Sequence, residues 1–276
     1  MIPEHFIQHW RTTAPWQTLD MVEQDLIISR ALICLYTNSQ IAKSLAFRGG
    51  TALNKLHMHS PMRYSEDIDL VQINSEPIGE TVKLIRSVLD IWLGSPRSKL
   101  TKRSVKLVYG FLSVNRITSR LKIEINTTEH FHIKPLRHLE HRLQSPWFSG
   151  KANVLTYELE ELIATKLCAL YQRSKGRDLF DIWLVTEQQA VDVKKVISTF
   201  IAFCEKTGAK ITRALFEENL AYKSHRADFY DDINPLLRPA LYWNFNEALQ
   251  LVLDVYVQHM PGAAWKGTKR TEHSAA

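Results

Sequence analysis

Apolar side chains recur at helical spacing between residues 18 and 36, at Leu19, Val22, Leu26, Ile27, Ala31 and Leu35, which predicts an amphipathic helix. Asp20 and Glu23 near its start suit the positive end of a helix dipole. Ser44 to Arg48 reads as a short strand that ends at Gly49-Gly50. Thr51 to His57 reads as a helix, and after a turn at Pro61 the segment Asp67 to Val71 reads as a strand with alternating faces. Residues 78–93 have helical spacing. Two further strands follow, Val105 to Val114 and Arg120 to Asn126. In the second, Leu121, Ile123 and Ile125 point one way, and Lys122, Glu124 and Asn126 the other.

Residues 130–150, with Pro135, Pro146 and Gly150, read as loop. From Thr156 onward the spacing is helical, with helices expected over Tyr157 to Gln172, Leu179 to Gln188, and residues 192–206, 211–222 and 237–258. The pattern gives an α+β chain without internal repeats: a mixed-sheet half with flanking helices, then an α-helical half. Domains are expected at residues 1–150 and 151–260, with a flexible polar tail at 261–276.

Composition narrows the class only slightly. Of 276 residues, 45% are hydrophobic and 23% charged, enough to build a core. Lysine and arginine number 35 against 29 acidic residues, and this mild positive excess favours polyanionic partners. Cys34, Cys168 and Cys204 are isolated in apolar stretches, without zinc or disulfide spacing. They are expected to be buried, reduced thiols, as suits the cytoplasm. No run has the length of a membrane span, and the N-terminus lacks the apolar stretch of a signal peptide.

Candidate chemistry lies in residues 47–72, FRGGTALNKLHMHSPMRYSEDIDLVQ. Two glycines let the backbone turn sharply and approach a ligand. The helix after them offers free N–H groups to a phosphate, and Thr51 adds a hydroxyl. Asp67 and Asp69, two apart on a strand, share a face. Paired carboxylates repel unless a cation joins them, and Mg²⁺ carrying a triphosphate is such a cation. Glu124, on the polar face of an apolar strand, is the candidate third carboxylate if its strand lies beside that of Asp67.

In the second block, residues 161–183, Lys166 sits within an apolar helix, where it either snorkels outward or points at a buried anion. Arg173, Lys175 and Arg177 place positive charge near Asp178 and Asp181; taken alone, this block reads as a helical hairpin with solvated charges. Gly176 is expected to break the helix. The pairs His57/His59, His130/His132 and His138/His141 lack the ligand count of a zinc site and read as surface or RNA-facing. Tyr242, Trp243 and Phe245 read as core rather than as a stacking platform.

RGGTALNKL, RYSEDIDL, LKIEIN and ATKLCALYQRSKGRDLFDIW, in that order over residues 48–183, resemble the AbiEii/AbiGii toxin family of the polymerase-β-type nucleotidyltransferase superfamily. The resemblance implies a minimal nucleotidyltransferase sheet followed by a helical domain that completes the active site. It assigns Gly49 and Gly50 to a phosphate-binding turn, and Thr51 and Ser65 to nucleotide binding. Asp67 and Asp69 become metal ligands with Glu124 as a possible third. Lys166 and Asp178 match a later Lys…Asp motif in which the lysine contacts phosphates, and Arg173 and Arg177 join the nucleotide-binding set. Many superfamily members carry Gly-Ser at the turn, where this chain has Gly-Gly.

The same resemblance implies a toxin of a toxin–antitoxin or phage-defence system. Its substrate is an NTP, its cofactor Mg²⁺ with Mn²⁺ as an alternative, and its acceptor the 3′ end of tRNA. Its partner is a cognate antitoxin encoded nearby, and no membrane is involved. Two rival expectations are transfer to a protein or small-molecule hydroxyl, and a non-catalytic module that binds RNA or a partner protein.

Overall fold

The computed structural model describes residues 2–60 and 62–267, so the turn assigned to Pro61 and the last part of the expected tail, 268–276, lie outside the described residues. The chain forms two compact units. The first comprises Met1–Leu162 with Asn234–Tyr242, and the second Ile163–Ile233 with Trp243–Ala276.

The first unit opens with helices α1 (Glu4–Trp10), α2 (Leu19–Thr37) and α3 (Ser39–Ser44), strand β1 (Leu45–Arg48) and a helical turn α4 (Gly49–Ala52). A π-type turn, Leu53–His57, continues α4. Strand β2 (Asp67–Gln72), helix α5 (Gly79–Leu93) and strands β3 (Arg97–Leu100), β4 (Ser104–Leu112), β5 (Thr118–Asn126), β6 (Arg137–Gln144) and β7 (Ser149–Thr156) follow. The strands make one seven-stranded mixed sheet in the order β3-β4-β5-β2-β1-β7-β6.

Alternation explains how the centre of this sheet is built. Phe47, Ile68, Leu70, Leu107, Tyr109, Ile123 and Ile125 project to one side and are fully buried or nearly so. Each such side chain contributes about 1.5–3 kcal/mol by leaving water. Helix α5 packs against β4, where Tyr109 Oη donates to Asp90 (2.9 Å). Helix α2 packs on β5, β6 and β7. Thr18 caps α2 by accepting from Met21 N–H, satisfying an N–H that the helix leaves unpaired. The opposite side of β2, β5 and β4 carries the half-buried polar residues.

Three expectations are corrected. Within residues 130–150, read as loop, the chain forms strand β6 (Arg137–Gln144) and the start of β7 (Ser149–Thr156), which pair as a hairpin. Its alternation is masked because a histidine, His141, takes a core position beside Leu143. Strand β3 escaped the pattern because all four of its residues are exposed. The expected helix over 237–258 shrinks to Phe245–Val255. The stretch before it, interrupted by Pro235 and Pro239, runs back to the first unit, where Tyr64 N–H donates to Leu236 O (2.7 Å) and Arg238 N–H to Met62 O (2.9 Å).

The second unit holds most of helix α6 (Leu159–Gln172), then α7 (Gly176–Gln188), α8 (Val193–Thr207), α9 (Arg213–Ser224), α10 (Ala227–Tyr230) and α11 (Phe245–Val255). Gly176 is the first residue of α7 rather than a break before it. A Cβ there would meet the carbonyl oxygen of Phe229 at 2.1 Å, so only glycine admits that backbone. Just before α11, Trp243 packs edge-on against Phe180 (5.0 Å) and Trp183 (5.2 Å) of α7. Tyr242 departs from the core expectation and is 71% exposed.

Candidate active site

The glycine corner and the paired aspartates meet in the first unit. Strands β1 and β2 are antiparallel and set Arg48 opposite Asp69, so the chain leaves β1 at Gly49 directly beside that carboxylate. Gly49 has φ +83°, and a Cβ on it would stand 2.6 Å from Asp69 Oδ2. Both the left-handed backbone and the missing side chain are therefore required. Gly50 is buried in the same turn. Thr51 is buried, and its hydroxyl donates to Asp67 O (2.6 Å) and shares a hydrogen bond with Ser65 Oγ (2.7 Å). These bonds tie the turn to the start of β2.

The following π turn is anchored from below. Asn54 Nδ2 donates to Arg63 O (3.0 Å). Lys55 Nζ binds Asp25 Oδ1 of α2 (2.6 Å), which also accepts from Trp10 Nε1 (2.9 Å). His57, on the same turn, has its pKa lowered to about 4 by burial.

Asp67 and Asp69 share the half-buried face of β2. The parallel neighbour β5 sets Lys122 opposite Asp67 and Glu124 opposite Asp69. Lys122 Nζ lies 2.6 Å from Asp67 Oδ2 and 3.6 Å from Glu124 Oε2. Glu124 also binds Lys106 Nζ (3.0 Å) and accepts from Ser104 Oγ (3.1 Å). Burial would raise the Glu124 pKa, but the bond to Lys106 and its charge prevail and hold it below the ordinary value. Arg48 pairs with Glu129.

The aspartate pair fits a cation. Two carboxylates share one face beside a glycine corner, and an ammonium already stands against one of them. Among the described residues no group of three or more His, Cys, Asp or Glu side chains is arranged to hold a metal ion. Glu124 shares the face but is turned to its lysines.

In the second unit Lys166 is buried, and its ammonium lies 2.9 Å from Asp178 Oδ1 and 2.8 Å from Asp181 Oδ2. Of the two readings of this lysine, the buried anion is the one observed. The hairpin's aspartates are not solvated, with Asp178 0% and Asp181 2% exposed, whereas Arg173 and Lys175 reach the surface. Arg173 donates to both oxygens of Asp178, from Nε (2.7 Å) and Nη2 (2.9 Å). Burial works to raise the Asp178 pKa, yet Lys166 and Arg173 together hold it well below the carboxylate range. Lys175 and Arg177 turn to Asp232 instead (3.0 and 3.8 Å). Lys223 Nζ closes the end of α6 by donating to the carbonyls of Leu170, Tyr171 and Arg173. Burial lowers its pKa to about 8.

Residues 30–251 match the family described as nucleotidyl transferase AbiEii toxin, type IV TA system. This chain belongs to that family. Its fold is also that of a solved nucleotidyltransferase toxin. MenT4, a nucleotidyltransferase toxin of Mycobacterium tuberculosis H37Rv, superposes with a TM-score of 0.65 at 17% identity, over 95% of this chain and 91% of that one. JHP933 of Helicobacter pylori superposes with a TM-score of 0.52 at 14% identity, over 88% and 92%. No curated protein matches the chain in sequence.

Within this AbiEii chain, then, Gly49, Gly50, Thr51, Ser65, Asp67, Asp69 and Glu124 gather in the first unit, and Lys166, Arg173 and Asp178 gather in the second. Arg177 stands apart with Asp232. Sequence reasoning missed Lys122, Lys106, Lys55 and Lys223. Lys122 alone had a visible signal, because it shares the polar face of β5 with Glu124.

Two side expectations change. His141 is buried, not surface-facing, and burial lowers its pKa to about 4. Cys34 is only partly buried, while Cys168 and Cys204 are buried, their sulfurs 3.9 Å apart and not joined by a disulfide. No helix among the described residues is long and apolar enough to cross a membrane.

Proposed function

We propose that this AbiEii toxin transfers a nucleotide from an NTP to the 3′ hydroxyl of an RNA, with tRNA as the acceptor, in a reaction that depends on a divalent cation. The observation that carries this reading is the contact of Gly49 with Asp69. A corner that admits no side chain opens directly onto paired carboxylates, which suits a triphosphate and its cation sharing one place.

Asp67 and Asp69 are the residues that would hold Mg²⁺ or Mn²⁺, which when bound neutralises charge on the phosphate oxygens. The backbone at Gly49 and Gly50 seats the phosphates. Thr51 and Ser65 support that seat from within, since their hydroxyls bind each other and Asp67 O. Glu124, kept ionised by Lys106, accepts the proton of the attacking hydroxyl. The acceptor oxygen forms a bond to the α-phosphorus, the bond from that phosphorus to the bridging oxygen breaks, and pyrophosphate leaves. In the second unit, Asp178 sets the positions of Lys166 and Arg173. The partner is a cognate antitoxin.

Incubating the protein and Mg²⁺ with each α-labelled NTP in the presence of tRNA, protein and small-molecule acceptors tests this reading. Label is expected in tRNA, with pyrophosphate released in equal amount. Label found only in protein or small molecules would remove RNA as the acceptor.

A further inference from the structure

The register of the sheet sets a single cross-strand row on the face that carries the aspartates. Arg48 lies opposite Asp69, Asp69 opposite Glu124, Glu124 opposite Lys106, and Lys106 opposite Lys99. A second row, two residues along, runs Asp67, Lys122, Val108, Arg97. Paired residues in register project to the same side, so Arg97 and Lys99 on β3 share the face of Asp67 and Asp69.

Charge along these rows is graded. Lys122 and Lys106 are bound to the carboxylates, whereas Arg97 and Lys99 form no salt bridge among the described residues. The same holds for Lys102 and Arg103 at the adjoining β3–β4 turn, and all four are exposed. Strand β3 is also the free edge of the sheet. Three strand steps of about 4.8 Å separate β2 from β3, or about 14 Å. That is the length of about four stacked nucleotides at ~3.4 Å each.

We infer that the β3–β4 edge is the binding track for the acceptor nucleic-acid strand, with Arg97, Lys99, Lys102 and Arg103 on its phosphates, leading its 3′ end toward Asp67 and Asp69. The inference rests on the nucleotidyl-transfer reading and adds the route of the second substrate. A phosphodiester strand fits this surface better than a protein does. Protein interfaces are held by apolar or aromatic anchors surrounded by a polar rim. Here Val108 is the one apolar side chain in the two rows beyond the carboxylates, against four cations.

The test uses the full chain without NTP and a fluorescent RNA hairpin with a single-stranded 3′ end of about four nucleotides. Binding is followed by anisotropy from about 50 to about 200 mM salt. The Arg97→Gln/Lys99→Gln variant alters exposed edge residues only. It is expected to bind at least about tenfold more weakly, and its salt slope is expected to fall by about 1.4, two phosphate contacts at about 0.7 each. Lys194→Gln/Lys206→Gln on α8 removes the same charge from exposed positions elsewhere and is expected to keep the native slope. An unchanged slope in the β3 variant, or an equal loss in the α8 variant, overturns the track.

Transfer is read separately, as pyrophosphate release by the unmodified chain. Release with an unchanged β3 slope removes the track and leaves the reaction. Loss of the slope in the β3 variant without release in the unmodified chain keeps the track and removes the reaction.

Discussion

Lys166 shows how far a single residue could be read. An apolar helix holding one lysine leaves two outcomes open, because the stem packs equally well whether the ammonium reaches water or an anion. The choice depends on Asp178 and Asp181, which come from the next helix, and only the folded chain brings them within 3 Å. Breaking such a buried cluster is costly, since the carboxylates stay buried after their cation is gone. Lys166→Met is therefore expected to lower unfolding stability by about 3 kcal/mol, seen as a shift in the urea midpoint. An unchanged midpoint would mean that Arg173 alone satisfies the two aspartates. Asp67 and Asp69 are different. They are partly exposed, and the pair with Lys122 contributes no more than about 1 kcal/mol, so their replacement tests chemistry without testing the fold.

At the scale of elements, legibility followed alternation. Strands β2 and β5 have apolar residues at every second position, and both were placed correctly from the sequence, including the shared face of Asp67 and Asp69. Strand β6 was hidden by His141, which occupies a core position as a neutral imidazole, and β3 by having no buried residue at all. Register was beyond reach. The sequence put Lys122 and Glu124 on one face, but not Lys122 against Asp67, because that needs the parallel pairing of β5 with β2. The glycine turn was legible as a turn; its closeness to Asp69 was not.

That closeness makes Gly49 the most sensitive element position. Gly49→Ala adds a Cβ 2.6 Å from Asp69 Oδ2 on a left-handed backbone. It is expected to cost more than about 1 kcal/mol of stability and to cut transfer by about 10²-fold, as displacement of a reacting group does. Gly94→Ala, also at positive φ but with open space around it, is the control for backbone strain and should keep its activity. Equal activity in both variants would show that the corner does not position Asp69.

Over the whole molecule, each compact unit carries its own charged constellation. In the first, the sheet face passes from carboxylates beside the glycine corner to cations toward the edge strand β3. In the second, a buried lysine and a surface arginine clamp Asp178, and Lys223 closes the helix end from which Arg173 departs. Family membership covers residues 30–251 and so takes in both constellations. The expected boundary near residue 150 falls within β7, and the return of residues 234–242 to the first unit could not be read from a linear pattern. The central claim concerns the aspartate pair, and one comparison tests it most directly: transfer of α-labelled nucleotide to tRNA by the native chain and by Asp67→Asn/Asp69→Asn, with Mg²⁺ and at matched thermal stability. The account predicts transfer by the native chain and a loss of at least about 10²-fold in the variant. Equal transfer by both would contradict it.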